Sequence, residues 1–177
     1  FQTEQLGTGH ALLQAEKFIA AEKKFLVIMG DDIYDGSDIK KCLKHGSCIL
    51  AKKVDRYFPG GYLTVKGSRA MSIVEKPGAG KEPSKLVNIV AHIHSNASVL
   101  LKAVKEAKSK NDDGYERALD SLLKTRHYRA VPYVGMWQAV KHPWHILSLL
   151  PLLLADIKKP SIHKTAKIHK SAVIEGN

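Results

Sequence analysis

Apolar residues recur at helical spacing from Ala11 to Ala21, with Leu12, Ala15 and Ile19 on one face and Gly9 ahead of the first turn. This spacing predicts an amphipathic helix. FLVIM (25–29) is a continuous apolar run ending at Gly30-Asp31-Asp32. It predicts a central parallel strand, buried on both faces, that delivers two carboxylates at its carboxyl end. Ser37 is placed to cap a helix from Asp38 to Lys44, and SCILAKKV (47–54) reads as the next strand. YLTVKG and AMSIVEK form a hairpin turning at Gly67-Ser68, and Pro77-Gly78-Ala79-Gly80 breaks it. KLVNIVAHIH alternates as a strand. Ala97 to Lys110 reads as a helix with Leu100, Leu101, Val104 and Ala107 on one face, and Tyr115 to Lys124 as another. Arg129 to Tyr133 is a short strand, and Trp144 to Ala155 a very apolar helix interrupted by Pro151. Strands alternating with helices predict an α/β domain.

The tail follows another period. Ile162, Ile168 and Ile174 recur every six residues, and Ala166 and Ala172 keep one offset from them. A hexapeptide pattern of this kind builds one short side of a parallel β-helix per unit, the large aliphatic pointing inward and the small residue at the corner. The expected division is therefore an α/β domain over residues 1–157 and the start of a hexapeptide-repeat β-helix over 158–177.

Composition narrows the class. With 177 residues, 44% of them apolar and 25% charged, the chain can bury a real core. Its apolar runs are too short to span a bilayer. Cys42 and Cys48 make a poor disulfide framework and an incomplete metal set, which predicts a reducing, cytoplasmic setting. A net charge of +11 suits either a nucleic-acid backbone or small phosphorylated substrates. The lysine pairs are scattered without interleaved aromatics, which disfavours nucleic acid and favours a local phosphate site.

QTEQLGTGHALLQA at the start admits two readings from its residues: a helix-entry loop capped by Thr8 and Gly9, or a loop whose Gln amide and glycine backbone meet a base edge. Together with GDDIYD, IVEKP and WQAVKHPWHI, in that order, it resembles the sugar-1-phosphate nucleotidylyltransferases. The hexapeptide tail resembles the bifunctional and archaeal-type members that append a left-handed β-helix. The resemblance implies an incomplete nucleotide-diphospho-sugar transferase domain, a Rossmann-like three-layer α/β/α sandwich with a mixed sheet. It also implies that the chain is an internal fragment lacking the Gly-rich phosphate loop that precedes these motifs in the family, and is inactive alone.

The implied reaction transfers a nucleotidyl group, uridylyl or thymidylyl, from a nucleoside triphosphate to a sugar 1-phosphate and releases pyrophosphate. By the same resemblance Gln2, Gly7 and Thr8 bind the nucleotide, while Gly61, Glu75 and Asn88 bind the sugar. Asp31 and Lys76 are the catalytic residues, with Asp31 holding Mg²⁺ and Lys76 meeting the sugar phosphate. A homo-oligomer without membrane attachment is implied as well.

Two departures from the family pattern stand out. Ile89-Val90 replace small residues after Asn88, and Ala139 stands where relatives carry the second carboxylate of W-x-D-V, followed by Lys141 in place of a glycine. They keep a second class of function open, a non-catalytic nucleotidyltransferase-like binding or regulatory subunit. A third, a basic nucleic-acid-binding module, rests on charge alone.

Overall fold

The computed structural model describes residues 1–107, 109, 112–155, 157 and 162–174. In chain order the elements are α1 (Gly7–Gln14), α2 (Glu16–Ile19), β1 (Phe25–Ile28), β2 (Asp32–Tyr34), α3 (Gly36–Leu43) and β3 (Cys48–Lys53). There follow β4 (Gly61–Lys66), β5 (Arg69–Glu75), β6 (Leu86–His94), α4 (Ala97–Glu106), α5 (Gly114–Thr125), β7 (Arg129–Pro132), β8 (Trp137–Ala139) and α6 (His145–Leu154). They gather into two compact units, Phe1–Gly30 with Asp35–Met136, and Asp31–Tyr34 with Trp137–Asn177.

The larger unit is a mixed six-stranded sheet in the order β1-β6-β3-β7-β5-β4. β3 and β7 run parallel, and the remaining neighbours are antiparallel. Side chains on β3 separate the layers because successive residues face opposite sides. Ile49 and Ala51 join Leu100, Val104, Leu119 and Leu123 of α4 and α5 in one core. On β3's other face the Cys48 thiol meets the Cys42 carbonyl of α3. Helices on both faces give the three layers expected of an α/β domain. Each fully buried leucine contributes about 1.5–3 kcal/mol.

Several local expectations are corrected. β1 is an edge strand among the described residues, antiparallel to β6. Phe25 and Val27 face the core while Leu26 and Ile28 are 37% and 43% exposed. A four-residue apolar run does not say how many of its faces are covered. Asp35, not Ser37, caps α3, accepting from Ser37 N at 2.8 Å. α1 begins at Gly7, and α4 ends at Glu106 because Ala107 turns extended (ψ 90°); Lys108 and Lys110, expected in that helix, lie outside the described residues.

A polar relay runs through the apolar core. Asn88, His92 and His94 share one face of β6 and are buried with Tyr115 and Tyr128. Asn88 Oδ1 accepts from the Val90 amide at 3.0 Å, which fixes it as the oxygen, so His92 Nε2 must donate to it at 2.5 Å. The unprotonated His92 Nδ1 then accepts from Tyr115 Oη at 2.7 Å. Tyr115 Oη in turn accepts from His94 Nε2 at 2.9 Å, and Tyr128 Oη donates to His94 Nδ1 at 2.8 Å. Burial holds both rings neutral, His92 well below the usual histidine range and His94 at about 3.

The smaller unit pairs β2 with β8 antiparallel, Asp32 opposite Ala139 and Tyr34 opposite Trp137. Three-residue strands carry no periodicity, and the sequence pattern did not mark this sheet. α6 keeps Pro151 inside and exposes Leu147 at 73%, with only Leu149 buried. The described tail contains no strand. It does repeat one turn with a period of six: Ala166 N donates to His163 O and Ala172 N to His169 O, both at 2.9 Å. In each, the histidine Nδ1 meets a hydroxyl two residues on, Thr165 and Ser171. Ile162, Ile168 and Ile174 are 57%, 48% and 56% exposed, so the start of a β-helix is not seen as a packed element. The expected junction after residue 157 adjoins residues outside those described.

Candidate functional site

The expected nucleotide residues meet at the start of α1. Gly7 sits at φ +87°, in the left-handed region that favours glycine. A Cβ there would lie 2.1 Å from Asp112 Oδ1, the atom that accepts from the Thr8 amide at 3.3 Å. The helix has no side-chain cap, so this carboxylate meets its exposed first-turn N–H dipoles. The Gln2 amide donates to Gly7 O at 3.2 Å and meets His10 Nδ1 at 3.0 Å. Thr8 Oγ1 is buried without a hydrogen-bond partner.

Gly61, Glu75 and Lys76 come together on the β4–β5 hairpin. Gly61 pairs with Glu75 across the ladder. A Cβ at 61 would lie 2.9 Å from Ile73 Cδ1 and 3.0 Å from Glu75 Oε2, so glycine leaves the carboxylate its place. Lys76 has φ +44° immediately before Pro77, a conformation that side chains and prolines both disfavour. Its amide donates to Gly60 O at 3.1 Å and its ammonium lies 3.6 Å from Glu75 Oε1. Backbone strain of this kind concentrates at functional sites.

Beside this hairpin lies a cavity of about 550 Å³ whose lining includes Glu75, Asp113, Glu116, Arg117, Ser121 and Lys124. Burial raises the Glu75 pKa from its ordinary value, and burial together with the Glu75 charge pushes Glu116 up to about 7. Glu116 Oε2 is buried without a hydrogen-bond partner. The sequence pattern did not single out Glu116, which looks like any acidic residue in a helix's first turn. Asn88, in contrast, is 4% exposed and its Oδ1 belongs to the core relay. Val90 holds φ +47°.

In the smaller unit, Asp31 and Asp32 share one cation. Lys141 Nζ lies 2.9 Å from Asp31 Oδ2 and 3.4 Å from Asp32 Oδ1. The Asp32 side chain is 3% exposed, and its Oδ2 accepts from Trp137 Nε1 at 3.0 Å and Tyr34 Oη at 3.4 Å. Burial disfavours the Lys141 ammonium, but the hydrogen bond to Asp31 and the two carboxylate charges outweigh it and raise its pKa.

The Mg²⁺ expectation can be tested on this donor set. Mg²⁺ wants oxygen ligands in near-octahedral geometry. Here the residue facing Asp32 is Ala139, a methyl, and Asp31 is already ion-paired. Gln138 Nε2 is turned to Ala139 O at 2.9 Å. Among the described residues no group of three or more His, Cys, Asp or Glu side chains could hold a metal. The residues as placed do not fit the ion: Asp31, expected to hold Mg²⁺, is paired with Lys141.

The family model described as "Nucleotidyl transferase" matches residues 1–140. The chain belongs to the nucleotidyl transferase family. It is 29% identical over 181 residues to the bifunctional protein GlmU of Methanococcus maripaludis, covering 99% of this chain and 42% of that protein. Thus it spans less than half the length of that relative. Among solved structures it is similar to apo-UDP-glucose pyrophosphorylase, with a TM-score of 0.75, 20% identity, and coverage of 87% of this chain and 62% of that one. A UTP-bound UDP-glucose pyrophosphorylase from Acinetobacter baumannii gives a TM-score of 0.68 at 22% identity, covering 88% and 59%. These neighbours establish the nucleotide-diphospho-sugar transferase fold for this family member. No helix among the described residues is long and apolar enough to cross a membrane.

Proposed function

We propose that this chain carries nucleotide and sugar-phosphate sites of an enzyme that transfers a uridylyl or thymidylyl group from a nucleoside triphosphate to a sugar 1-phosphate, releasing pyrophosphate. The observation that carries the reading is the hairpin end where Gly61 makes room for Glu75 and Lys76 is held in a left-handed conformation. Family membership and the UTP-bound neighbour support it.

In this reading the Glu75 carboxylate accepts hydrogen bonds from sugar hydroxyls, and the Lys76 ammonium pairs with the phosphate whose oxygen attacks the α-phosphorus in line. Gln2 turns its amide from Gly7 and His10 to a base edge, with the Gly7–Thr8 backbone alongside. Asn88 takes no part, because its oxygen is committed to His92 and Val90. The same proposal includes a cytoplasmic homo-oligomer, and the exposed apolar residues of α6 support the oligomer.

A second reading, a non-catalytic nucleotide-sugar-binding subunit, is favoured by one observation, the Lys141 ammonium seated on Asp31 and Asp32. Pyrophosphate release from UTP or dTTP with glucose 1-phosphate or N-acetylglucosamine 1-phosphate, measured on the whole protein because this stretch is expected to be inactive alone, separates the two. Turnover that drops by about 10–100-fold in Glu75→Gln, as loss of a charged hydrogen bond predicts, supports transfer. Absent turnover with measurable UDP-sugar binding supports the second reading, and absence of both overturns the assignment.

A further inference from the structure

We propose that Lys141 is the resident cation of the Asp31/Asp32 pair: its ammonium takes the place a divalent ion would need, so this chain does not load Mg²⁺ or Mn²⁺ there.

Three observations carry this beyond a surface ion pair. Lys141 is presented from a fixed backbone, since the neighbouring Val140 amide donates to Asp31 O at 3.1 Å and its own amide to His145 Nδ1 at 3.0 Å. An ammonium tethered beside its carboxylates competes as an intramolecular ligand, at an effective concentration of about millimolar or more. Next, Asp32 is closed to a hydrated ion. Its side chain is 3% exposed, one oxygen is held by Trp137 and Tyr34, and the other has no hydrogen bond and faces Lys141 Nζ. Mg²⁺ sheds water reluctantly and is usually held through its remaining waters, for which this oxygen leaves no room while Lys141 lies against it. Finally, Ala139 opposite Asp32 offers no oxygen from its side chain to offset the loss of the lysine.

Charge gives the same result. Two carboxylates that share one ammonium repel each other without it, and one of them is buried, where an unpaired charge is costly. Lys141 supplies that cation from within the fold. The inference concerns metal uptake by the pair and does not depend on whether the chain transfers nucleotides.

The test is Mn²⁺ titration of the full chain, read by the electron paramagnetic resonance signal of free Mn²⁺, on wild type, Asp31→Asn, Lys141→Met and Asp31→Asn/Lys141→Met. Wild type and Asp31→Asn should bind alike. Lys141→Met should gain a site at least about tenfold tighter, the scale of removing a partly exposed ion pair, and Asp31→Asn should abolish the gain. Lys141→Arg, which keeps the charge, should gain nothing. Should Lys141→Met fail to fold by circular dichroism, Lys141→Gln replaces it. A wild-type Mn²⁺ site that Asp31→Asn removes would overturn the proposal, and so would a folded Lys141→Met or Lys141→Gln protein without the gain.

Discussion

Replacing Tyr115 by Phe isolates the energetics of the buried relay. The substitution keeps the ring, which stacks on His92 at 5.6 Å between centroids, and removes one oxygen. That oxygen is the donor to His92 Nδ1 and the acceptor from His94 Nε2. Neither ring can turn to another tautomer as an escape. Moving the His92 proton to Nδ1 would break its bond to Asn88, and moving the His94 proton to Nδ1, where Tyr128 could accept it, would still leave Nε2 without a partner. Two buried groups are therefore left unpaired, each costing about 1–3 kcal/mol. A loss near 3 kcal/mol is expected, a large share of the stability of a domain of this size.

Urea unfolding followed by far-UV circular dichroism measures it. With an m-value of about 2 kcal/mol/M the midpoint should fall by about 1.5 M at unchanged m. Nitrogen-15 spectra of the wild-type imidazoles should show both rings neutral with the proton on Nε2. A midpoint shift worth less than about 1 kcal/mol, or a ring protonated on Nδ1, would refute the directed relay.

The remaining predictions concern charge and backbone. His92 and His94 titrate in the unfolded chain near 6.5 but are held far lower when folded, so their contribution is present above about pH 6.5 and lost as the pH falls toward 3. Glu116, pushed up to about 7, has the opposite sign between about pH 7 and 4.5; in a Glu116→Gln background, stability should therefore drop by about 3 kcal/mol between pH 6.5 and 5. Gly61→Ala should cost about 1–3 kcal/mol in the same urea assay, because its Cβ meets Ile73 and the Glu75 carboxylate. Lys76→Gly should stabilise the fold by about 0.5–1 kcal/mol by relieving φ +44° while weakening sugar-phosphate binding in calorimetry; equal stability would show that the conformation is unstrained.

How far these features were legible in the sequence depends on the range of the interaction that sets them. α5 and the β4–β5 hairpin follow local rules, an apolar stripe and a Gly67 turn at φ +60°, and both were readable. The placement of β1 depends on what lies across its faces, which FLVI does not encode. β2 and β8 exist because GDDIY and MWQAV meet some hundred residues apart in sequence, too short for any period to announce. At the site, Glu75 and Lys76 were singled out through the EKP motif and Gly61 through the Pro-Gly-Gly loop, and the hairpin brings the three together. Glu116 was not, because its raised pKa arises from burial and from a neighbour on another element. Asn88 fits the family pattern in sequence, yet the buried histidine two positions past Val90 claims its oxygen.

Ala139 and Lys141 are best understood as one change in charge balance. A carboxylate at 139 would face Asp32 across the β2–β8 ladder and give the strand pair three acidic side chains, tolerable only with a divalent ion between them. With alanine there, the ion loses a ligand, and a buried Asp32 beside Asp31 would be left repelling it. Lysine at 141 removes that repulsion with 2.9 Å and 3.4 Å contacts, where a glycine could not. The pair thus trades an exchangeable cation for a permanent one. It follows that Ala139→Asp alone restores little metal affinity while the lysine remains. Ala139→Asp combined with Lys141→Gly should bind Mn²⁺ more tightly than the two single variants together predict, a non-additivity expected of residues that share a partner. Additive effects in that cycle would mean that the two positions act on the acidic pair independently.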